Sequence, residues 1–526
     1  MTSGLTRGQI LARAGLIVSA AFLVSRALGW VRLVVIGYLF EPSDLDTFFA
    51  AFRIPDLVFQ LVAAGALGSA LIPILAGLLA EGRHDRASQV ASTVTNVMLV
   101  GLLSLAVLLA VFAPAVVEAI TPGFDVIQTA RTVELTRIML LAPIFLALGA
   151  IATSLLNASG RFASAAFAPA VYNLAIIGGA IFLAPVFGIA GLALGVVIGA
   201  FAGLLVQLRP LARLGFVYEP RIDTRDPDAR TALSLLVPRA IGLGATQITF
   251  IVVTSLATTL GAGAVTAYNI AFILMQVPMG LIGSPLGVVV FPSLSREVAA
   301  GRPAEYVALL TRALRLLLYV MLPAAGLMAI LRRQIVAVLF PAFDPALVEL
   351  TANTLLFFLI GLGAHALIAV LARAFYARQD TRTPVLAAIL AVVLNTTLAV
   401  ILVGPLGLAG IALAIAFAAW VEAIVLLWRL ARHVPLMGVA DVGRVGLEGA
   451  LGTLIAGAVG LLVLYTIDGF IGRSPGLLAL LAQGVVVTAA FAAVYLVVSL
   501  VLRIPELPSI VAIMTDLVRR RGSGAG

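Results

Sequence analysis

The residues best suited to chemistry are two arginines in an apolar helix. Within "VSRALGWVRL", Arg26 and Arg32 interrupt a run of apolar residues from about Gly15 to Phe40. Arg26 lies some eleven residues into that run, roughly 16 Å along a helix, which is near the middle of a bilayer. A guanidinium at that depth costs a few kcal/mol or more and calls for a reason. Snorkelling of the long side chain toward the interface could relieve Arg32 more easily than Arg26. Six residues separate the pair, so they point about 120° apart around the helix and could line two sides of a wide cavity.

The next apolar segment opens with "SDLDTFFAAFRIPD". Asp46, Arg53 and Asp56 are spaced by seven and then three, which places them on one helical face. Pro55 removes a backbone hydrogen bond there and favours a kink. Arg53 and one of these aspartates could simply neutralise each other. Even so, three arginines against two aspartates leave a positive surplus. The guanidinium is planar and always charged, and it holds phosphate with two parallel hydrogen bonds. The expected site is therefore a cationic cavity for a phosphate-bearing ligand, built from Arg26, Arg32, Arg53, Asp46 and Asp56.

The elements that must position these residues follow from composition. Of 526 residues, 62% are hydrophobic and 11% charged, whereas a soluble domain carries about a quarter charged residues. The chain reads as an all-α polytopic membrane protein with fourteen transmembrane helices. The net charge of +9 is carried on the basic side entirely by arginine. With the N-terminus inside, twenty-five arginines fall on the inner side of the spans and five on the outer, among them Arg332 and Arg333. This is the positive-inside pattern. It predicts two cytoplasmic termini and excludes nucleic acid as the reason for the charge. The lack of cysteine excludes disulfides and thiolate metal sites. No metal-ligand spacing, phosphate loop or nucleophile elbow occurs, so neither a cofactor nor a metal is expected. Energy for transport would come from a gradient or a downhill substrate.

An internal echo sets the organisation. "LGSALIPILAGLLAEGR" (67–83) matches "LGVVVFPSLSREVAAGR" (286–302) at an offset of 219. The region "NASGRFASAAFAPAVYN" (157–173) answers "ARQDTRTPVLAAILAVVLN" (377–395), with Asn173 facing Asn395 in the alignment. Two six-helix halves follow, 1–208 and 232–432, joined by a basic cytoplasmic linker, 209–231. Residues 433–526 add two helices and an amphipathic tail, "IPELPSIVAIMTDLVRRR". Parallel halves of this kind hold their substrate between them and work by rocking. Glu422, in the twelfth span, is a candidate ion-coupling carboxylate, or else the partner of a nearby polar group.

The stretches "SRALGWVR" (25–32), "DTFFAAFRIPDL" (46–57), "LLNASGRFASAAFAPAVYN" (155–173) and "FYARQDTRTPV" (375–385) resemble the MurJ/MviN lipid II flippases of the multidrug/oligosaccharidyl-lipid/polysaccharide exporter superfamily. The resemblance spans the whole core. It implies movement of undecaprenyl-pyrophosphate-linked peptidoglycan precursor from the inner to the outer leaflet of the bacterial cytoplasmic membrane. It also implies contact with the cell-wall synthesis machinery and no enzymatic activity. Arg26, Arg32 and Arg53 stand at basic positions of the family, and Asp46 at an acidic one. Other family charges are missing. Leu33 replaces an acid, and "NIAFILMQVP" puts Phe272, Ile273 and Gln276 where the family has charged residues. The charge of the site thus rests on the first half.

Four readings stay open at this level. They are a lipid II flippase, a flippase for another lipid-linked oligosaccharide, a cation-coupled drug antiporter, and a degenerate paralogue that scaffolds cell-wall synthesis. Paired catalytic acids in loops, which a membrane glycosyltransferase would need, are absent from the short outer loops.

Overall fold

A computed structural model describes residues 7–62, 66–434, 438–471 and 476–508. Most of the tail read as amphipathic, from residue 509 onward, lies outside them. The described residues form helices and their connections, without a strand. This is what a hydrocarbon solvent demands, because a helix satisfies its own backbone polar groups. Among the described residues, ten helices are long and apolar enough to cross a membrane, or eleven if the pair Pro345–Ile360 and Leu362–Ala377, bent by 44°, is one span.

Two compact units emerge, 1–266 and 267–526. The first contains α1 (Arg7–Leu39), α2 (Pro42–Val62), α3 (Ala66–Ala80), α4 (His84–Ile120), α5 (Val126–Met139), α6 (Ala142–Ala158), α7 (Phe162–Gly178), α8 (Ala184–Phe187), α9 (Ile189–Ala212) and α10 (Pro227–Thr258). A π-helical turn, Gly179–Leu183, joins α7 to α8. The second contains all but the start of α11 (Ala264–Pro278), then α12 (Ser284–Ala299), α13 (Pro303–Ile330), α14 (Arg332–Leu339), α15 (Pro345–Ile360), α16 (Leu362–Ala377), α17 (Arg382–His433), α18 (Val439–Ile471) and α19 (Leu477–Val501).

Small residues set the closest approach in the first unit. Gly191, Gly195, Gly199 and Gly203 recur every four residues along one face of α9. A Cβ on Gly195 would stand 3.0 Å from Gly179 Cα and 3.2 Å from the Ala175 carbonyl oxygen, and one on Gly199 would stand 2.8 Å from the Tyr172 carbonyl oxygen. Lipid tails are as apolar as leucine, so burial alone cannot drive helices together in a bilayer. Backbone approach and van der Waals packing do. This stripe therefore fixes α7 against α9. The other face of α7 receives α1.

The duplication is written in the turns. Gly82 and Gly301 both take positive φ, 74° and 65°, and the amides of Arg83 and Arg302 reach back to the carbonyls of Leu78 and Glu297 in the same helix-ending motif. Gly188 and Gly407, again 219 apart, share φ 58°. At Gly407 the helix α17 breaks, with ψ −137°. Three residues further on, a Cβ on Gly191 or Gly410 would run into the backbone of the preceding limb at 2.5 and 2.3 Å.

The linker is docked rather than free. Ser88, Ser92 and Asn96 form a polar row on α4. Asn96 Nδ2 donates to the carbonyls of Glu219 (2.8 Å) and Arg221 (2.9 Å), while Ser92 Oγ accepts from the Glu219 amide at 3.1 Å. Arg86 meets buried Asp226 at 2.6 Å. Asp226 in turn caps α10 by accepting from the amides of Asp228 and Ala229.

The glycine row gives the first prediction. Gly195→Leu should separate α7 from α9 and destabilise the protein by about 1–3 kcal/mol or more. Thermal unfolding followed by size-exclusion of the detergent-solubilised protein measures this. A melting temperature equal to the parent's would remove the stripe from the argument.

Candidate functional site

The site residues in 1–266 are arranged by α1, α2, α7 and α10. On α1, Ser25, Gly29 and Arg32 share one face. Asn173 of α7 donates through Nδ2 to the Ser25 carbonyl (3.2 Å) and to the Pro169 carbonyl (3.0 Å), and Gly29 faces that amide. Arg32 is consequently turned toward α7 and comes within electrostatic reach of Tyr172. Arg26, one position after Ser25, is rotated away and exposed, with its guanidinium 5.4 Å from the Phe22 ring centre. The two arginines do occupy different faces, as their spacing requires.

On α2 the three charged residues have different neighbours. Asp46 is fully buried. Its Oδ2 accepts from the Gly263 amide at 2.6 Å, and its Oδ1 accepts from both the amide and the hydroxyl of Thr266 at 2.7 Å. The carboxylate thereby ties the start of α2 to the loop after α10. Nearby, a Cβ on Gly123 would lie 2.2 Å from the Thr258 carbonyl oxygen, so the loop before α5 also presses on the end of α10. Arg53 donates from Nε to Thr254 Oγ1 at 2.8 Å and stacks over Phe250, 5.3 Å from the ring centre. Phe250 and Thr254 are one turn apart on α10, so that helix grips both the planar face and the edge of the guanidinium. A cation–π contact of this kind contributes about 0.5–2 kcal/mol depending on desolvation.

Asp56 lies one turn beyond Arg53 and accepts from Gln60 Nε2 at 3.5 Å. It lines a cavity of about 560 Å³ enclosed mainly by α2, α6, α7 and α9, together with Phe52, Phe59, Asn157, Tyr172 and Gln207. Tyr172 stands within electrostatic reach of Asp56 as well as of Arg32. Gln207 is held in place, accepting from Thr153 Oγ1 at 2.8 Å and donating to the Gly203 carbonyl at 3.1 Å. Structure thus brings Arg32, Tyr172 and Asp56 into one series across three helices. It places Asp46 with backbone and hydroxyl donors.

Sequence reasoning missed Tyr172, Phe250, Thr254 and Thr266. Only Tyr172 carried a usable signal, since it directly precedes Asn173, the asparagine that the echo repeats as Asn395. Glu422 is partly buried on α17 in the other unit, two residues after Trp420, whose indole donates to the Ile360 carbonyl at 2.8 Å. Phe272 stacks on Tyr268 (6.2 Å) and packs edge-on to Phe358 (5.7 Å). Aromatic packing fills that position. Among the described residues no three His, Cys, Asp or Glu side chains converge as metal ligands.

Removing the Asp46 carboxylate leaves one hydroxyl and two amides without their buried acceptor. Asp46→Ala should cost about 3 kcal/mol or more, whereas exposed Arg26→Ala should leave stability nearly unchanged. Parallel thermal melts of the two variants decide this. Equal melting temperatures would show that the Asp46 bonds do not brace α2.

With this geometry in place, relatives can be compared. The family model described as lipid II flippase MurJ matches residues 36–502. A lipid II flippase MurJ of Burkholderia cenocepacia is 34% identical over 79% of this chain and 83% of its own. A probable lipid II flippase MurJ of Vibrio cholerae is 30% identical over 86% of this chain and 88% of its own. Among solved structures, "Lipid II flippase MurJ, inward closed conformation" superposes with a TM-score of 0.78 at 23% identity, covering 93% of this chain and 98% of that one. An inward-facing multidrug resistance MATE family transporter of the MOP superfamily gives 0.69 at 16% identity, covering 80% and 98%. The last two likenesses bear on the fold alone. On the family match and the identities, this chain is a multi-pass membrane protein that belongs to the MurJ lipid II flippase family.

Proposed function

We propose that this protein carries lipid II, an undecaprenyl-pyrophosphate-linked peptidoglycan precursor, from the inner to the outer leaflet of the bacterial cytoplasmic membrane. It acts as a transporter and makes or breaks no covalent bond. The observation that supports this reading is the surplus of guanidinium on the first two spans of a chain that matches the MurJ family model, with Arg53 held by Thr254 and Phe250. Arg32 and Arg53 are the groups we assign to the pyrophosphate, with Arg26 on the neighbouring face of α1 as a further contact. Asp56 and Tyr172 keep the surplus charge oriented within the first unit. Asp46 serves the site indirectly by fixing α2 to the start of α11.

In this reading fourteen spans cross the membrane with both termini in the cytoplasm, and two six-helix halves alternate their access. The bond from Arg53 to Thr254 of α10 is one that alternation makes and breaks. Glu422 is the carboxylate we assign to ion coupling. Because the flipped lipid is consumed by polymerising enzymes, contact with the cell-wall synthesis machinery belongs to the same proposal. One observation favours a second substrate, a different lipid-linked oligosaccharide. Tyr268, Phe272 and Phe358 pack as an aromatic cluster at Phe272, where the family resemblance implies a charge, so a less heavily charged head group would suit the second half better.

Complementation separates these readings. The chain should sustain growth of a bacterium depleted of its own lipid II flippase, and Arg32→Ala or Arg53→Ala should abolish that rescue while protein levels in the membrane stay normal. Loss of one charge-assisted hydrogen bond, about 1.5–3 kcal/mol, corresponds to roughly a tenfold to hundredfold weaker hold on the phosphate. Rescue by the Arg32,Arg53 double alanine variant would defeat the assignment. Failure of the parent chain, correctly inserted, would favour the second substrate.

A further inference from the structure

The cavity that holds Asp56 has no arginine among its lining residues; a separate cavity that shares none of those residues is basic. It has a volume of about 430 Å³ and is lined by Gly160, Arg161, Phe162, Ser164, Pro210 and Arg213 among others. Its residues sit where three apolar spans end together, Val126–Ala158, Phe162–Phe187 and Ile189–Ala212. That is the level of lipid head groups at one membrane surface. No acid lines it. Both guanidinium groups are exposed, and neither makes an ion pair or side-chain hydrogen bond with another described residue. Other surface arginines of the same unit do pair, such as Arg86 with Asp226 and Arg131 with Asp44. Phe162, 40% exposed, adds an apolar edge beside the charges.

The duplication supplies an internal control. Gly160 turns at φ 71° and the following amide, Arg161, reaches the Leu156 carbonyl. In the second unit Gln379 turns at φ 62° and the following amide, Asp380, reaches the Phe375 carbonyl. The backbone is the same 219 residues on, but the side chain has the opposite charge. Asp380 accepts from the Arg382 and Thr383 amides at 3.0 Å and from the Thr383 hydroxyl at 2.6 Å. These bonds, the hydroxyl's foremost, hold its carboxyl below the usual carboxylate range. One unit thus supplies an anion from its own chain at this turn. The other puts a guanidinium there, faces it with a second from α9, and offers no acid.

We propose that Arg161 and Arg213 form a binding site for the phosphate of an anionic phospholipid, distinct from the transported lipid. The depth at the span ends argues for a lipid rather than a dissolved ion. Two positive charges without a nearby acid disfavour a zwitterionic head group, whose cation would be repelled. The glycerol and upper acyl region would lie along Phe162. A lipid held there bridges the α6–α7 turn and the end of α9, next to the docked linker.

The test uses the full chain in nanodiscs of phosphatidylcholine with phosphatidylglycerol titrated in, and counts retained lipids by native mass spectrometry. The parent should retain one phosphatidylglycerol that the R161Q/R213Q variant releases, with affinity lower by about tenfold or more. The R161K/R213K variant should keep most of the binding, since a lysine still supplies the charge. Inorganic phosphate at the same concentration should not displace the lipid. Equal retention by the parent and the glutamine variant overturns the proposal. Displacement by inorganic phosphate makes the pocket a soluble-anion site, and lost binding of a lipid-linked pyrophosphate with unchanged phosphatidylglycerol makes it an access point for substrate. Both outcomes also overturn it. If the double variant does not fold, R213Q alone carries the measurement, because Arg213 lies beyond the last turn of α9.

Discussion

A guanidinium cannot be left bare in hydrocarbon, and much of the first unit answers that constraint. Transfer of the charge costs several kcal/mol, so each arginine within a span needs a polar, aromatic or aqueous neighbour. Arg53 obtains a hydroxyl and an aromatic face from α10. Arg32 is turned by the Ser25–Gly29 face toward Tyr172. Arg26 is left on a different face with an aromatic neighbour on its own helix. Under the proposed function, the anion that meets these groups would be the pyrophosphate of a lipid-linked substrate.

Positioning these groups depends on backbone proximity. The glycine row of α9 draws α7 in until Gly195 and Gly179 nearly touch. Asn173 then fixes α1 on the far side of α7. Tyr172 owes its place between Arg32 and Asp56 to this double contact. Small residues far from any charge therefore control the geometry of the charged series, through packing alone.

The two halves show how duplication conserves conformation while chemistry diverges. Helix-ending turns at Gly82 and Gly301, and breaks at Gly188 and Gly407, repeat with nearly equal backbone angles. Such turns are set by sterics local to a few residues, so they survive substitution around them. Charge is free to change because it resides in side chains. Arg161 has become Asp380 in the corresponding turn, and the aromatic cluster around Phe272 lies in the unit that lacks the arginine-rich pair of spans.

Class, family and duplication were legible in the sequence, because each rests on something linear. Apolar run length fixes the solvent, motif residues carry the family resemblance, and an offset of 219 needs no coordinates. The different faces of Arg26 and Arg32 also followed from helical periodicity alone. The partners did not. Asp46 looked like a neighbour of Arg53 because both lie on one face of α2, yet its carboxylate is taken by Gly263 and Thr266, more than two hundred residues away. Spacing along one helix specifies direction around its axis, but it carries no information about which other helix arrives on that side. Only tertiary packing, set here by glycine contacts and the docked linker, decides which charge meets which partner.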